Sequence, residues 1–281
     1  MTPARTSLAD RASGWMITAT RIAVGLLWLR NAGWKTPTGF GGLRGYVNLG
    51  IEHPVLPPFS WALEHLVLPH MTPFGFMTLL LEASLAVTLL LGWKTRLFSL
   101  LGAAQSLMIG LSVANAPNEW QWAYVLMVGI HLLLFATDAG RFGGLDGSLA
   151  RHQWRVPASV VGAGAVLVGM WSAIDAGDKG SILKVSKEIH LFRSTVVGGL
   201  VFAGLGLVAL VLVGIGRRRL LAVPAAVSGA LVLATLALWR DDGSFPFGLG
   251  YNGTSMAALG TVALGLGLLA LAPMGRAELR R

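Results

Sequence analysis

The chain has 281 residues, 54% of them hydrophobic and only 12% charged, with 37 glycines and a formal net charge of +9. That balance excludes a soluble domain, and the absence of any fixed glycine period excludes a collagen-like fibre; the composition is that of an integral membrane protein. There is no cysteine, which excludes disulfides, thiol relays, Cys-ligated zinc and iron–sulfur clusters from the chain itself.

Crossing ~30 Å of hydrocarbon at ~1.5 Å per residue takes about 20 apolar residues. Suitable stretches lie at 15–32, 74–93, 97–114, 120–136, 156–174, 196–216, 220–239 and 255–272. The expected fold class is therefore an all-α integral membrane protein with about eight transmembrane helices. The first stretch contains Arg21, outruns a typical signal core and is not followed by a small-x-small cleavage site, so it is expected to persist as the first helix.

The basic residues are spread over alternate connections rather than gathered in one patch. Lys94 and Arg96, then Arg141, Arg151 and Arg155, then Arg217, Arg218 and Arg219, then Arg276, Arg280 and Arg281 fall on one side together with Arg5 and Arg11. This pattern predicts both termini in the cytoplasm of a bacterial plasma membrane, and it is not a nucleic-acid footprint.

Between the first two spans, segment 33–73 is too long for an idle turn. It repeats itself locally, with Glu52-His53-Pro54-Val55-Leu56-Pro57 echoed by Glu64-His65-Leu66-Val67-Leu68-Pro69. Its apolar content and Trp61 predict a short interfacial helix lidding the outer mouth of the bundle. His53, His65 and His70 in this segment have ligand types that suit zinc or copper, a weaker alternative because their spacing matches no compact motif. A second outer loop at 175–194 carries Lys179, Lys184, Lys187 and Arg193 against Asp175, Asp178 and Glu188, a mixture that suits either a solvated connection or a surface attracting an anion or a partner.

The two halves differ in kind. Residues 1–150 hold the embedded polar groups, whereas the spans of 151–281 have no ionisable residue in their cores and are rich in glycine and alanine, which suits close helix packing or docking. In the first half Arg21, Glu82, Gln105 and His131 lie inside spans, where an unpaired charge costs roughly 2.5–3.5 kcal/mol on insertion scales. Counting ~1.5 Å per residue from the helix ends brings them towards the middle of the bilayer. Arg21 and Glu82 are the expected ion pair. His131 is either a hydrogen-bonded core histidine or a candidate for proton transfer, and Gln105 a candidate for an interhelical hydrogen bond or a ligand contact. Arg21, Gly25, Trp28, Ala32 and Lys35 share one face of the first helix, with Gly25 leaving room for a flat ligand, while Tyr124 shares a face with His131. Arg30 and Lys35, near the outer end of that helix, either snorkel or collect small anions.

Arg21 with Gly25, Trp28 and Lys35, then Glu82 followed by Gly92-Trp93-Lys94-Thr95-Arg96, then Asn115, Pro117 and Trp120, and finally Gly140-Arg141 with Leu145-Asp146 together resemble the DoxX/DoxD family over about residues 15–150. DoxD is the small membrane subunit of a thiosulfate:quinone oxidoreductase. The resemblance implies a four-helix membrane module that exchanges electrons with a quinone beside partner subunits. On that reading Arg21 and His131 would face the quinone carbonyls, Gly25, Trp28, Gln105 and Tyr124 would line its site, Glu82 would handle protons, and Arg30 with Lys35 would receive an anionic reductant. Neither haem nor an iron–sulfur cluster is expected, since one membrane histidine cannot supply bis-His ligation. The second half does not resemble the DoxA partner subunit. A non-catalytic subunit that assembles or stabilises a larger respiratory or redox complex is the alternative, and a proton-coupled carrier, disfavoured by unbroken helices and missing inverted repeats, is a third reading.

Overall fold

The computed structural model describes residues 8–35, 37, 39–175, 196–237 and 253–272. Among these the chain is helical: α1 (Leu8–Gly33), α2 (Gly41–Glu52), α3 (Pro57–Ala62), α4 (Met71–Leu91), α5 (Thr95–Val113), α6 (Gln121–Ala136), α7 (Leu145–Ala150), α8 (Arg155–Asp175), α9 (Val196–Gly214), α10 (Ala222–Ala237) and α11 (Gly253–Leu271). Seven of the helical runs are long and apolar enough to cross a membrane. The eighth expected span is α6, whose 16 residues are apolar but short. Residues such as Leu167, Val160, Leu233 and Met77 project outward and are about two-thirds exposed, an apolar girdle suited to lipid. The loop at 175–194 lies outside the described residues apart from Asp175.

Segment 33–73 is mostly helical rather than a loop with one short helix. After α2, the helix that starts at Pro57 runs on through a π turn at Leu63–Val67 and a 3-10 turn at Leu68–His70 into α4, giving 35 continuous residues. At ~1.5 Å per residue it is about 52 Å long, well beyond the ~30 Å hydrocarbon core. The prolines of this segment do not break the helix. Pro57 and Pro58 occupy the first helical turn, where no N–H is missed, and the irregular turns absorb Pro69. α2 packs on α5 and the π turn; Ser60 Oγ of α3 donates to the Gly50 carbonyl of α2 at 2.9 Å, and Asn115 Nδ2, just after α5, to the Pro54 carbonyl, just after α2, at 2.9 Å.

At the opposite end of the bundle the turns are sharp. Gly92 (φ 65°) ends α4 in a Schellman motif, its N–H reaching the Leu89 carbonyl at 3.2 Å and the Trp93 N–H the Thr88 carbonyl at 3.0 Å. This end carries Lys94, Arg96, Arg141, Arg151, Arg155, Arg217, Arg218 and Arg219, and is called the basic end below; the other is the lid end.

The second half packs on the first through α11, which lies against α4, α1 and α8. Leu266 and Leu269 on α11 and Leu85 and Leu89 on α4 are fully buried. In α8 and α9 glycine permits backbone contact: Cβ atoms at Gly169 and Gly206 would stand 2.4 Å from the Ala203 nitrogen and the Gly162 carbonyl oxygen respectively. Gly204 lies off this seam, with nothing within 4 Å of its Cβ position.

Candidate functional site

Arg21, Trp28 and Lys35 recur at seven-residue spacing, so they lie along one stripe of α1 and its C-terminal extension. All three are buried, and each reaches a different partner. Lys35 reaches Glu82, with Nζ 2.5 Å from Oε2 and the two side chains only 2% and 1% exposed. The same ammonium donates to the Asn31 carbonyl at 3.0 Å, satisfying an otherwise orphaned acceptor in the last turn of α1. From α5, Gln105 Nε2 donates to Glu82 Oε1 at 3.4 Å, and Gln105 is half-buried. Lys35, Glu82 and Gln105 therefore form a polar cluster inside an apolar bundle. Burial pulls the Lys35 ammonium below the ordinary lysine range, and the adjacent carboxylate pulls it back up.

The expected Arg21–Glu82 pair is not formed. Arg21 lies level with the end of α4, where its Nη1 donates to the Leu89 and, at 3.0 Å, Leu90 carbonyls, and its Nη2 to the Gly143 carbonyl at 3.1 Å. Glu82 sits seven residues earlier on α4, about 10 Å away along the helix axis. The unsatisfied carbonyls of a helix C-terminus favour a cation, and they are closer. Gly25 leaves no room for a flat ligand either, because a Cβ there would already stand 3.0 Å from the Leu90 side chain.

Trp28 Nε1–H donates to His131 Nε2 at 2.8 Å, and the Met127 carbonyl lies 2.6 Å from His131 Nδ1. Since indole is donor-only, Nε2 is the acceptor and Nδ1 carries the proton to Met127. Both ring nitrogens are thereby engaged, and His131 is a helix-to-helix bridge rather than a free ligand. Gly102 makes this possible, as a Cβ there would stand 2.2 Å from the imidazole. Tyr124, half-buried, donates its hydroxyl to Glu119 in the α5–α6 connection and packs on Gly110.

Arg30 is exposed, whereas Lys35 is buried and paired and so is not an open outer cation. The three histidines of the lid segment do not assemble: His65 and His70 are exposed, each with Nδ1 directed at a carbonyl one turn back, at 3.0 Å and 2.9 Å. Among the described residues no group of three His, Asp or Glu side chains is placed to hold a metal ion.

Two polar arrangements escaped the sequence reading. Asp146 caps α5 from a distance: Oδ1 accepts the Lys94 N–H at 2.8 Å, and Oδ2 accepts the Thr95 N–H at 3.0 Å and hydroxyl at 2.7 Å. Gly140 must be glycine for this, because a Cβ would stand 2.0 Å from Thr95 Oγ1 and 2.2 Å from Asp146 Oδ2. The Gly-Arg and Leu-Asp motif thus forms a tight knot, pinned further by Thr18 donating to the Phe142 carbonyl at 2.9 Å. Asp146→Ala is expected to cost about 0.5–2 kcal/mol, the worth of an N-cap, measured by thermal unfolding in detergent, while leaving the Lys35–Glu82 cluster intact. The second is Arg218, hidden within a run of three arginines: it is buried and donates from Nε to the Leu269 carbonyl at 2.7 Å and from Nη2 to Ala272, closing the end of α11.

Residues 16–162, slightly more than half of the chain, match the family model described as TQO small subunit DoxD. No curated protein and no solved structure matches.

Proposed function

We propose, because this chain belongs to the DoxD family, that it is a quinone-interacting membrane subunit of a redox system, resembling the small subunit of thiosulfate:quinone oxidoreductase. That it is a multi-pass helical membrane protein follows from its spans and its family. The observation that carries the quinone reading is the Lys35–Glu82–Gln105 cluster, a carboxylate, a cation and an amide donor enclosed among apolar helices. Buried charge in a membrane bundle is costly to keep and marks ion, proton or substrate paths.

The donor set fits a quinone head. Gln105 is the half-buried member, and its 3.4 Å bond to Glu82 is long enough to be exchanged for a bond to a carbonyl oxygen. Glu82 can hold a proton, and Lys35 fixes the carboxylate and stabilises its charge when that proton leaves. A bound quinone accepts electrons and protons; the electrons come from a partner subunit or a small reductant. Arg21 and His131 serve as positioning residues, since their polar atoms are engaged with carbonyls and Trp28. The second half supplies packing or docking surface.

The basic end faces the cytoplasm on this reading, because it gathers most of the described cations. Reporter fusions after Lys94 and after Glu52 should report opposite sides; the same side would overturn the orientation. The function itself is tested by following quinone reduction in membranes containing the chain and its native partners, with thiosulfate and other small reductants. Reduction that depends on the chain and falls in a Gln105→Leu variant of unchanged abundance supports the reading. Reduction unaffected by deleting the chain contradicts it.

A further inference from the structure

We propose that the basic end carries a binding site for an anionic phospholipid headgroup where the start of α8 meets the turn after α9. Arg155 lies against that turn, its Nη2 only 3.3 Å from the Cβ position of Gly216, and Arg217 follows directly in the chain. Both arginines are exposed, and the Arg155 guanidinium lies 5.6 Å from the ring of the buried Trp154, which holds it at the rim. Among the described residues no carboxylate pairs with either of them. From residue 147 to 174 and from 196 to 237 the sequence contains no Asp or Glu, and Asp175 stands at the other end of α8, about 30 Å away at ~1.5 Å per residue. The two acids nearest Arg155 in sequence are occupied, Asp146 in capping α5 and Asp138 in pairing with Arg141 at 3.4 Å.

Two neighbouring cations with no counter-charge among the described residues attract an anion, and the surroundings select a lipid. Val156 and Ile215, 71% and 63% exposed, flank the two arginines. They offer apolar surface to acyl chains directly beneath a headgroup held by the guanidiniums. Arginine suits phosphate oxygens because its planar fork can donate two parallel hydrogen bonds. Each basic residue beside an anionic membrane surface contributes about a fivefold change in affinity.

The test uses the full chain in detergent, titrated with phosphatidylglycerol, phosphatidylcholine or inorganic phosphate, and read by native mass spectrometry. Phosphatidylglycerol should be retained in preference to phosphatidylcholine. Arg155→Gln and Arg217→Gln should each weaken that retention about fivefold, with lysine at both positions keeping the charge but not the fork and so restoring only part of it, and Arg44→Gln, at the lid end, leaving it unchanged. Equal retention of the two lipids, or a preference that survives the Arg155→Gln/Arg217→Gln double variant, would overturn the proposal. Displacement of bound phosphatidylglycerol by millimolar inorganic phosphate would overturn the lipid assignment and leave a free-anion site.

Discussion

Glu82→Gln is expected to destabilise the protein by ~3–5 kcal/mol, the cost of stranding one member of a buried ion pair. The variant leaves the Lys35 ammonium, 2% exposed, facing a neutral amide inside the bundle. Lys35→Met should be damaging for the reciprocal reason, although Glu82 can then escape part of the penalty by taking up a proton. The double variant Lys35→Met/Glu82→Gln removes both charges and should recover most of the stability, because desolvation consumes much of what a buried pair gains. Thermal unfolding of the four proteins in one detergent measures the coupling. Additive effects would mean that the two groups do not depend on each other. Recovery of folding without recovery of quinone-linked activity would separate the pair's chemistry from its packing.

Gly206→Leu should cost ~3 kcal/mol, the upper part of the usual range for overpacking. The added side chain meets backbone of α8, with the Gly162 carbonyl oxygen 2.4 Å from the Cβ position, and backbone cannot rotate aside. Gly204→Leu, two residues earlier, enters open space and should leave the stability of the isolated chain within about 0.5 kcal/mol, as surface substitutions do. Unfolding midpoints of the two variants make the comparison, and equal losses would contradict the α8–α9 seam. If Gly204 lies under a partner subunit, its variant should instead weaken co-purification of that partner.

Much of this architecture is legible in the chain because lipid imposes a simple length rule, and the apolar windows at 97–114 and 196–216 agree with α5 and α9 to within a few residues. The lid segment does not follow from that length rule. Prolines normally break helices, and neither Pro57 at a helix start nor Pro69 at a 3-10 turn announces that the helix continues. For the polar residues, burial followed from sequence while partnership did not. Seven-residue spacing puts Arg21, Trp28 and Lys35 on one stripe, but which carbonyl or carboxylate each meets depends on how far α4 slides along α1. Attraction of opposite charges suggested Arg21 with Glu82, yet the orphaned carbonyls at the end of α4 compete for the guanidinium. Asp146 illustrates a further limit: its partners Lys94 and Thr95 lie in a distant turn, and only the packed fold reveals a cap.

The central claim, that Gln105, Glu82 and Lys35 form the place where a quinone head is received, is most directly tested by the quinone that stays with the purified protein. Lipid extracts of the wild type should contain quinone in a fixed ratio to protein. Extracts of Gln105→Leu, which removes the half-buried donor while leaving the Lys35–Glu82 pair in place, should contain about tenfold less, corresponding to ~1.4 kcal/mol of binding, the worth of one hydrogen bond. Quinone retained by Gln105→Leu at the wild-type ratio, or found bound among α8–α11, would contradict the site.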